Sequence, residues 1–167
     1  VIGAIISIST SKRLNKRLAW IAFAFLAYTT LLLINAGFDQ WSSGKPILEE
    51  YNWNTAVINL NFGFKADGLS LPLVLTASLI CTANALYSLR YMEHRIEQLY
   101  GKDEKGMYSI YYSVFLLFAA GLLGLFLSTN LIELYVFVEL VLIPSYFMID
   151  IFGYVDRHRI AVMYFVW

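Results

Sequence analysis

The sequence predicts an all-α fold, a polytopic transmembrane helix bundle of four complete spans with a partial span at each end. Three observations carry that prediction. Of 167 residues, 59% are hydrophobic and only 14% charged, against roughly 25% charged in soluble domains. Apolar runs of about 20 residues, the length needed to cross hydrocarbon, recur along the chain. Basic residues crowd alternate connections, as they do on one side of a membrane. The net charge is zero, so no basic surplus points to a nucleic-acid partner; the bilayer itself is the expected surrounding. With no internal repeat, low-complexity tract or flexible linker, residues 1–167 are expected to form a single transmembrane domain.

The elements follow in order. Residues 1–8 are apolar and precede Lys12, Arg13, Lys16 and Arg17. A signal peptide places its positive charge ahead of the apolar core, so this stretch reads instead as part of a longer helix. Residues 18–38 make the first complete span. The long connection 37–66 is rich in aromatics, and Trp41, Tyr51, Trp53, Phe62 and Phe64 are expected to sit there as interfacial anchors. The second span, 69–89, opens with Asp67-Gly68-Leu69-Ser70-Leu71-Pro72. Asp67 or Ser70 suits the N-cap, and Pro72 suits the first turn. Cys81, the single cysteine, lies inside this span and reads as a small packing residue, since alone it forms neither an intrachain disulfide nor a paired-cysteine metal site.

Arg90, Arg95, Lys102 and Lys105 fill the next connection. The third span, 109–127, contains Gly121 and Gly124, where missing side chains let helices approach closely. The turn Ser128-Thr129-Asn130 is so short that the fourth span, 130–153, must fold back on the third as an antiparallel hairpin. Arg157 and Arg159 follow, and another apolar stretch starts at Ile160, too short to cross alone. Ten of the twelve basic residues thus fall on one side. The positive-inside rule makes that side cytoplasmic and the 37–66 connection, with Lys45 and Lys65, external.

Glu139 stands in the middle of the fourth span, inside a strongly apolar run. An ionisable side chain at that depth costs roughly 2.5–3.5 kcal/mol on insertion scales and usually marks an ion or proton pathway. At about 100° per residue, Tyr135, Glu139, Ile143, Tyr146 and Asp150 share one stripe of the helix. Asp150 lies about 16 Å further along the axis by the helical rise, near the cytoplasmic end. The stripe suits a hydrated half-channel in which Asp150, Tyr146 and Tyr135 guide protons to Glu139; a packing face with a polar edge is the alternative. Glu133, about 120° away from the stripe, is expected at the outer interface. Pro144 leaves the carbonyl of Leu140 without its helical donor and favours a bend one turn beyond Glu139. Hydrocarbon favours a protonated carboxyl and an approaching cation the ionised form, so a carboxyl between them changes state when the cation moves. No lysine or arginine here lies at comparable depth, so such a cation belongs to other helices or another subunit, or there is none. His94 and His158 fall in charged stretches and read as solvated. The chain lacks a phosphate-binding glycine loop, a dinucleotide fingerprint, a CxxC pair and a haem-type histidine pair, so it is expected to carry neither metal nor redox cofactor.

The stretch Val138-Glu139-Leu140-Val141-Leu142-Ile143-Pro144-Ser145-Tyr146-Phe147 resembles the fifth transmembrane helix of the M-type (chain 4) antiporter-like subunit of respiratory complex I. Asp67-Gly68-Leu69-Ser70 is similar to the opening of that family's third helix. The resemblance covers the whole chain and about the first third of a 14-helix member. It implies a proton-translocating membrane subunit of an NADH-quinone oxidoreductase or a relative using another donor. Glu139 would be the proton carrier, working with a lysine on a later helix. Quinone, flavin and iron–sulfur clusters would belong to partner subunits in a multi-subunit complex. Val138 departs from the tryptophan often found before the glutamate, and Met163 stands near a frequent lysine position. Two alternatives remain: a subunit of a cation/proton antiporter or membrane-bound hydrogenase complex, and a structural membrane subunit in which Glu139 only ties helices together.

Overall fold

The computed structural model describes residues 17–54, 59–101 and 105–166; the apolar stretch 1–8 lies outside them, as do Lys12, Arg13, Lys16 and Lys102. The chain order is α1 (Arg17–Ser43), β1 (Ile47–Asn54), β2 (Asn59–Ala66), α2 (Ser70–Tyr100), α3 (Lys105–Leu127), α4 (Leu131–Phe152) and α5 (Arg157–Val166). Four of these helices, α1 to α4, are long and apolar enough to cross a membrane. They run alternately between an end carrying the hairpin and an end carrying most of the basic residues, and each packs on its sequence neighbour. The predicted all-α bundle stands, with one small sheet added.

Periodicity explains the packing. On α2 the buried residues include Leu71, Val74, Ser78, Cys81, Ala85, Ser88, Met92 and Arg95, the alternating three- and four-residue step of a left-handed helix seam. Leu18, Ala22 and Leu26 of α1 meet Cys81 and Ala85 of α2, while Tyr112, Phe115 and Ala119 of α3 close the cluster. Small side chains dominate the α1–α2 contact, as close packing in membranes favours. Polar atoms there are satisfied locally. The Thr30 hydroxyl meets Ser78 at 2.5 Å and Thr82 at 3.0 Å, and Ser88 meets the Tyr112 hydroxyl at 3.2 Å. Cys81 is a packing residue, as expected, 2% exposed.

Three expectations need correction. The 37–66 connection is not an extended loop: α1 continues to Ser43 and the rest forms an antiparallel hairpin, with Glu50 opposite Gly63 and Tyr51 opposite Phe62. Trp41 and Tyr51 are exposed as anchors should be, but Phe62 and Phe64 turn inward onto Phe137 of α4, with ring centroids 6.2 and 5.9 Å away. Trp53 falls outside the described side chains. Second, Arg90 and Arg95 are not in a loop. Helix α2 has 31 residues, about 46 Å at the helical rise, and outruns a hydrocarbon core of roughly 30 Å. Third, Glu133 sits at the hairpin end of α4 as expected, but it is buried there, 2% exposed.

Asp67 does cap α2. Its Oδ1 accepts the amides of Leu69 and Ser70 at 3.0 and 2.9 Å, and Ser70 Oγ accepts the Asp67 amide in return at 2.8 Å. Those amides, the Ser70 one foremost, together with the Lys65 ammonium, hold the Asp67 carboxyl well below the usual carboxylate range.

Candidate functional site

Helix α4 carries every residue of the predicted stripe, and its neighbours determine which face stays open. The face toward α3 is closed by glycine. A Cβ added at Gly121 would lie 2.9 Å from the carbonyl carbon and oxygen of Leu140; one at Gly124 would run into the ring of Phe137. The α3–α4 hairpin therefore packs through Gly121 and Gly124, as their positions predict. The Leu140 carbonyl is also the one that Pro144 deprives of a helical donor, and it rests against the bare face of Gly121. Pro144 is buried, and α4 stays helical through it from Leu131 to Phe152.

The upper end of α4 is tied to the sheet. Asn130 is its N-cap, accepting the Glu133 amide at 2.8 Å and donating from Nδ2 to the Asn61 carbonyl at 2.7 Å. Glu133 Oε2 accepts the amides of Gly63 and Thr129 at 3.3 and 3.2 Å and the Thr129 hydroxyl at 3.3 Å. Phe64 also bridges to Ser128. The free edge of β2, which would otherwise offer unpaired backbone groups, is thereby covered by the α3–α4 turn. Glu133 Oε1 is buried without a partner among the described residues.

The lower end is held by cations and a phenol. Arg95 of α2 donates from Nε to the Phe152 carbonyl at 3.1 Å and from Nη2 to Gly153. Tyr100 donates to the Ile151 carbonyl at 3.0 Å, and Arg157 to the same oxygen at 2.8 Å. These are the carbonyls a helix C-terminus leaves open, and positive charge there suits the helix dipole.

Between these ends the stripe divides in two. Tyr146 packs on Phe165 of α5 at 5.5 Å, and Asp150 pairs with His158 Nδ1 at 2.8 Å. So α5 covers the basic-end half. In the other half, Tyr135 and Ile143 are exposed and Glu139 is half-buried; Tyr135, one turn away, is the side chain within reach of Glu139. The predicted residues thus share one face but form no single contact chain among themselves. His158 is solvent-exposed, as its charged surroundings predict, and also partners Asp150. His94 lies on α2, exposed, with Gln98 at 3.0 Å. No group of three metal-ligating side chains occurs among the described residues.

Three residues of this arrangement escape a reading of hydropathy. The Glu133 clamp has a signal, since Asn130-x-x-Glu133 is the spacing of a capping box. The Arg95 clamp has one too, because Arg95 continues the buried seam of α2. Nothing in the sequence pairs His158 with Asp150.

Comparison with known proteins agrees with this architecture. Residues 53–100 match a family model described as NADH-Ubiquinone oxidoreductase (complex I), chain 5 N-terminus. An NAD(P)H-quinone oxidoreductase chain 4 of Synechococcus sp. is 28% identical over 162 residues, 94% of this chain and 27% of that protein. Subunit M of an NADH-quinone oxidoreductase from Rhodobacter capsulatus is 25% identical over 98% of this chain and 29% of its own length. An F(420)H(2) dehydrogenase subunit M from Methanosarcina mazei is 23% identical over 87% of this chain and 26% of its own length. The chain therefore spans less than a third of the length of these relatives.

Proposed function

We propose, from the premise that this chain is an antiporter-like multi-pass membrane subunit of the complex I kind, that it carries part of a proton path with Glu139 as its titrating group. The observation that carries this reading is the division of labour between two acids on one helix. Glu133 is buried and holds the hairpin to α4, so the structural task is already filled. Glu139 lies six residues on, half-buried on the face turned away from Gly121 and Gly124, with Tyr135 as its near neighbour. That face is free to meet water or a further helix, and hydrocarbon is its least favourable surrounding.

Within this path Glu139 takes and releases the proton. Tyr135 supplies a hydroxyl one turn toward the hairpin end. Tyr146 and Asp150 line the approach from the basic end, where His158 holds the Asp150 carboxylate. Pro144 and the freed Leu140 carbonyl weaken the turn next to Glu139, which suits a local bend. The relatives are named as subunits of oxidoreductases or a dehydrogenase and differ in electron donor, so the proposal extends to translocation and not to the donor. Other membrane subunits are the expected partners, and the redox groups would be theirs.

The test is Glu139→Gln in the full-length subunit within its complex, measuring protons moved per electron beside complex abundance. Glutamine keeps the volume and cannot titrate. The expected result is a reduced ratio or rate at near-normal abundance, with a smaller effect from Asp150→Asn near the aqueous boundary. Normal abundance with unchanged ratio and rate removes Glu139 from the path. Failure of assembly favours the structural alternative.

A further inference from the structure

At the basic end, α1 and the overrunning part of α2 leave a cleft of about 830 Å³. Arg90 and Arg95 supply its charge, with His94 beside them, and Trp20, Tyr87 and Tyr154 its aromatic walls. No carboxylate lines it among the described residues. A second hollow of about 660 Å³ shares Arg95 and Tyr154 and adds Arg157, His158 and Arg159 against a single acid, Asp156. Glu93 and Glu97, the nearby acids of α2, have other partners and line neither hollow.

Arg95 is the unusual member. It is 8% exposed, and the groups bonded to it are neutral: two carbonyls and the face of Tyr154, 4.0 Å from the guanidinium carbon. A guanidinium carries five N–H donors, and a buried charge is normally balanced by an opposite one. Among the described residues the cleft thus presents fixed positive charge with donors to spare and no carboxylate in its lining.

The walls say what kind of anion fits. Trp20, Leu86 and Tyr87 are 57%, 47% and 70% exposed. Tryptophan and tyrosine beside the first basic residues mark the headgroup level of a bilayer. The cleft therefore has cations at its floor and an apolar, lipid-level rim. A soluble anion would match the floor only.

We propose that this cleft binds the phosphate of an anionic phospholipid, with Arg90, His94 and Arg95 on the headgroup and the acyl chains running past Leu86 and Tyr87. Basic pockets between transmembrane helices on the cytoplasmic side are suited to such headgroups. The bound phosphate would complete the charge balance of Arg95 and so steady its hold on the C-terminus of α4. The proposal stands on this cleft and is independent of the proton path.

The test uses the full-length subunit in nanodiscs containing phosphatidylglycerol and phosphatidylcholine, with retained lipid measured by native mass spectrometry. Wild-type protein is expected to retain phosphatidylglycerol preferentially. Arg90→Gln is expected to weaken retention by about fivefold when the charge is lost near the surface, and Arg90→Lys should keep it. In unaltered protein, brominated phosphatidylglycerol should quench tryptophan emission more than brominated phosphatidylcholine, and Trp20→Phe should remove the difference. Equal retention of the two lipids overturns the proposal. So does displacement of phosphatidylglycerol by inorganic phosphate at comparable affinity, which would make the occupant a free anion. Photocrosslinking from position 94 to another polypeptide in place of lipid overturns it as well.

Discussion

Glu133 is the residue on which the hairpin end of this molecule turns. One carboxylate oxygen collects backbone amides from a strand and a turn that sequence separates by 66 positions, Gly63 and Thr129. Glu133→Ala would leave those buried donors without an acceptor, at about 1–3 kcal/mol for such a loss. Hydrogen exchange at the Gly63 and Thr129 amides should quicken accordingly, while amides in the middle of α2 stay protected; unchanged exchange at Gly63 would deny the clamp. Asp67 offers a pH-dependent counterpart. Its folded carboxyl titrates below its unfolded value, so its capping contribution is fully present above the ordinary aspartate range, near pH 4. The contribution disappears only as pH falls further and the folded carboxyl protonates. Exchange at Leu69 and Ser70 should be insensitive to Asp67 protonation at neutral pH and lose protection in acid, and Asp67→Ala should lose it at every pH. Neither acid announces its role through hydropathy. Its place near the end of the span suggests an interfacial depth for Glu133, but its burial comes from a hairpin that no single-helix periodicity can reveal.

Among the elements, the α3–α4 hairpin makes the sharpest claim about substitution. An alanine at position 121 presses on the Leu140 backbone, which cannot swing aside, whereas one at position 124 presses on the ring of Phe137, which can. Overpacking of this kind costs about 1–3 kcal/mol. Gly121→Ala should therefore lower the thermal midpoint in a given detergent more than Gly124→Ala, and the reverse order would contradict the packing. The spans themselves are legible because twenty apolar residues have few alternatives. Their ends are less so. Hydropathy stops the second span near Leu89, yet the seam of α2 runs on through Met92 and Arg95 because Tyr108, Tyr111 and Phe152 continue the burial. The hairpin is half-visible: Asn59 to Ala66 alternates polar and apolar, the period of a strand, but its aromatics read equally well as interfacial anchors until Phe137 is seen beneath them.

At the scale of the whole molecule, charge assigns the sides. Arg90, Arg95, Arg157 and Arg159 cluster at one end of the bundle, and the hairpin with Lys45 and Lys65 lies at the other. In a background with Cys81→Ala, a cysteine at Ser42 should react with a membrane-impermeant thiol reagent added outside intact cells, and a cysteine at His94 should not; the opposite pattern reverses the orientation. What composition could not supply is the pairing of distant parts: Asp150 with His158, Arg95 with the end of α4, Asn130 with Asn61. Each joins segments separated by a turn or by one or two other elements, and each depends on how those elements are stacked rather than on local preference.

Helix α4 is anchored at both extremities, by its own Asn130 and Glu133 to the sheet and by Arg95 and Tyr100 of α2 at the other end. A beam pinned at its ends cannot tilt as a rigid rod; any displacement must appear as bowing near mid-span. Mid-span here is the stretch from Glu139 to Pro144, where one rung of the helical ladder is missing and a glycine faces it across the gap. Load applied anywhere along the helix is thus delivered to the turn that holds Glu139.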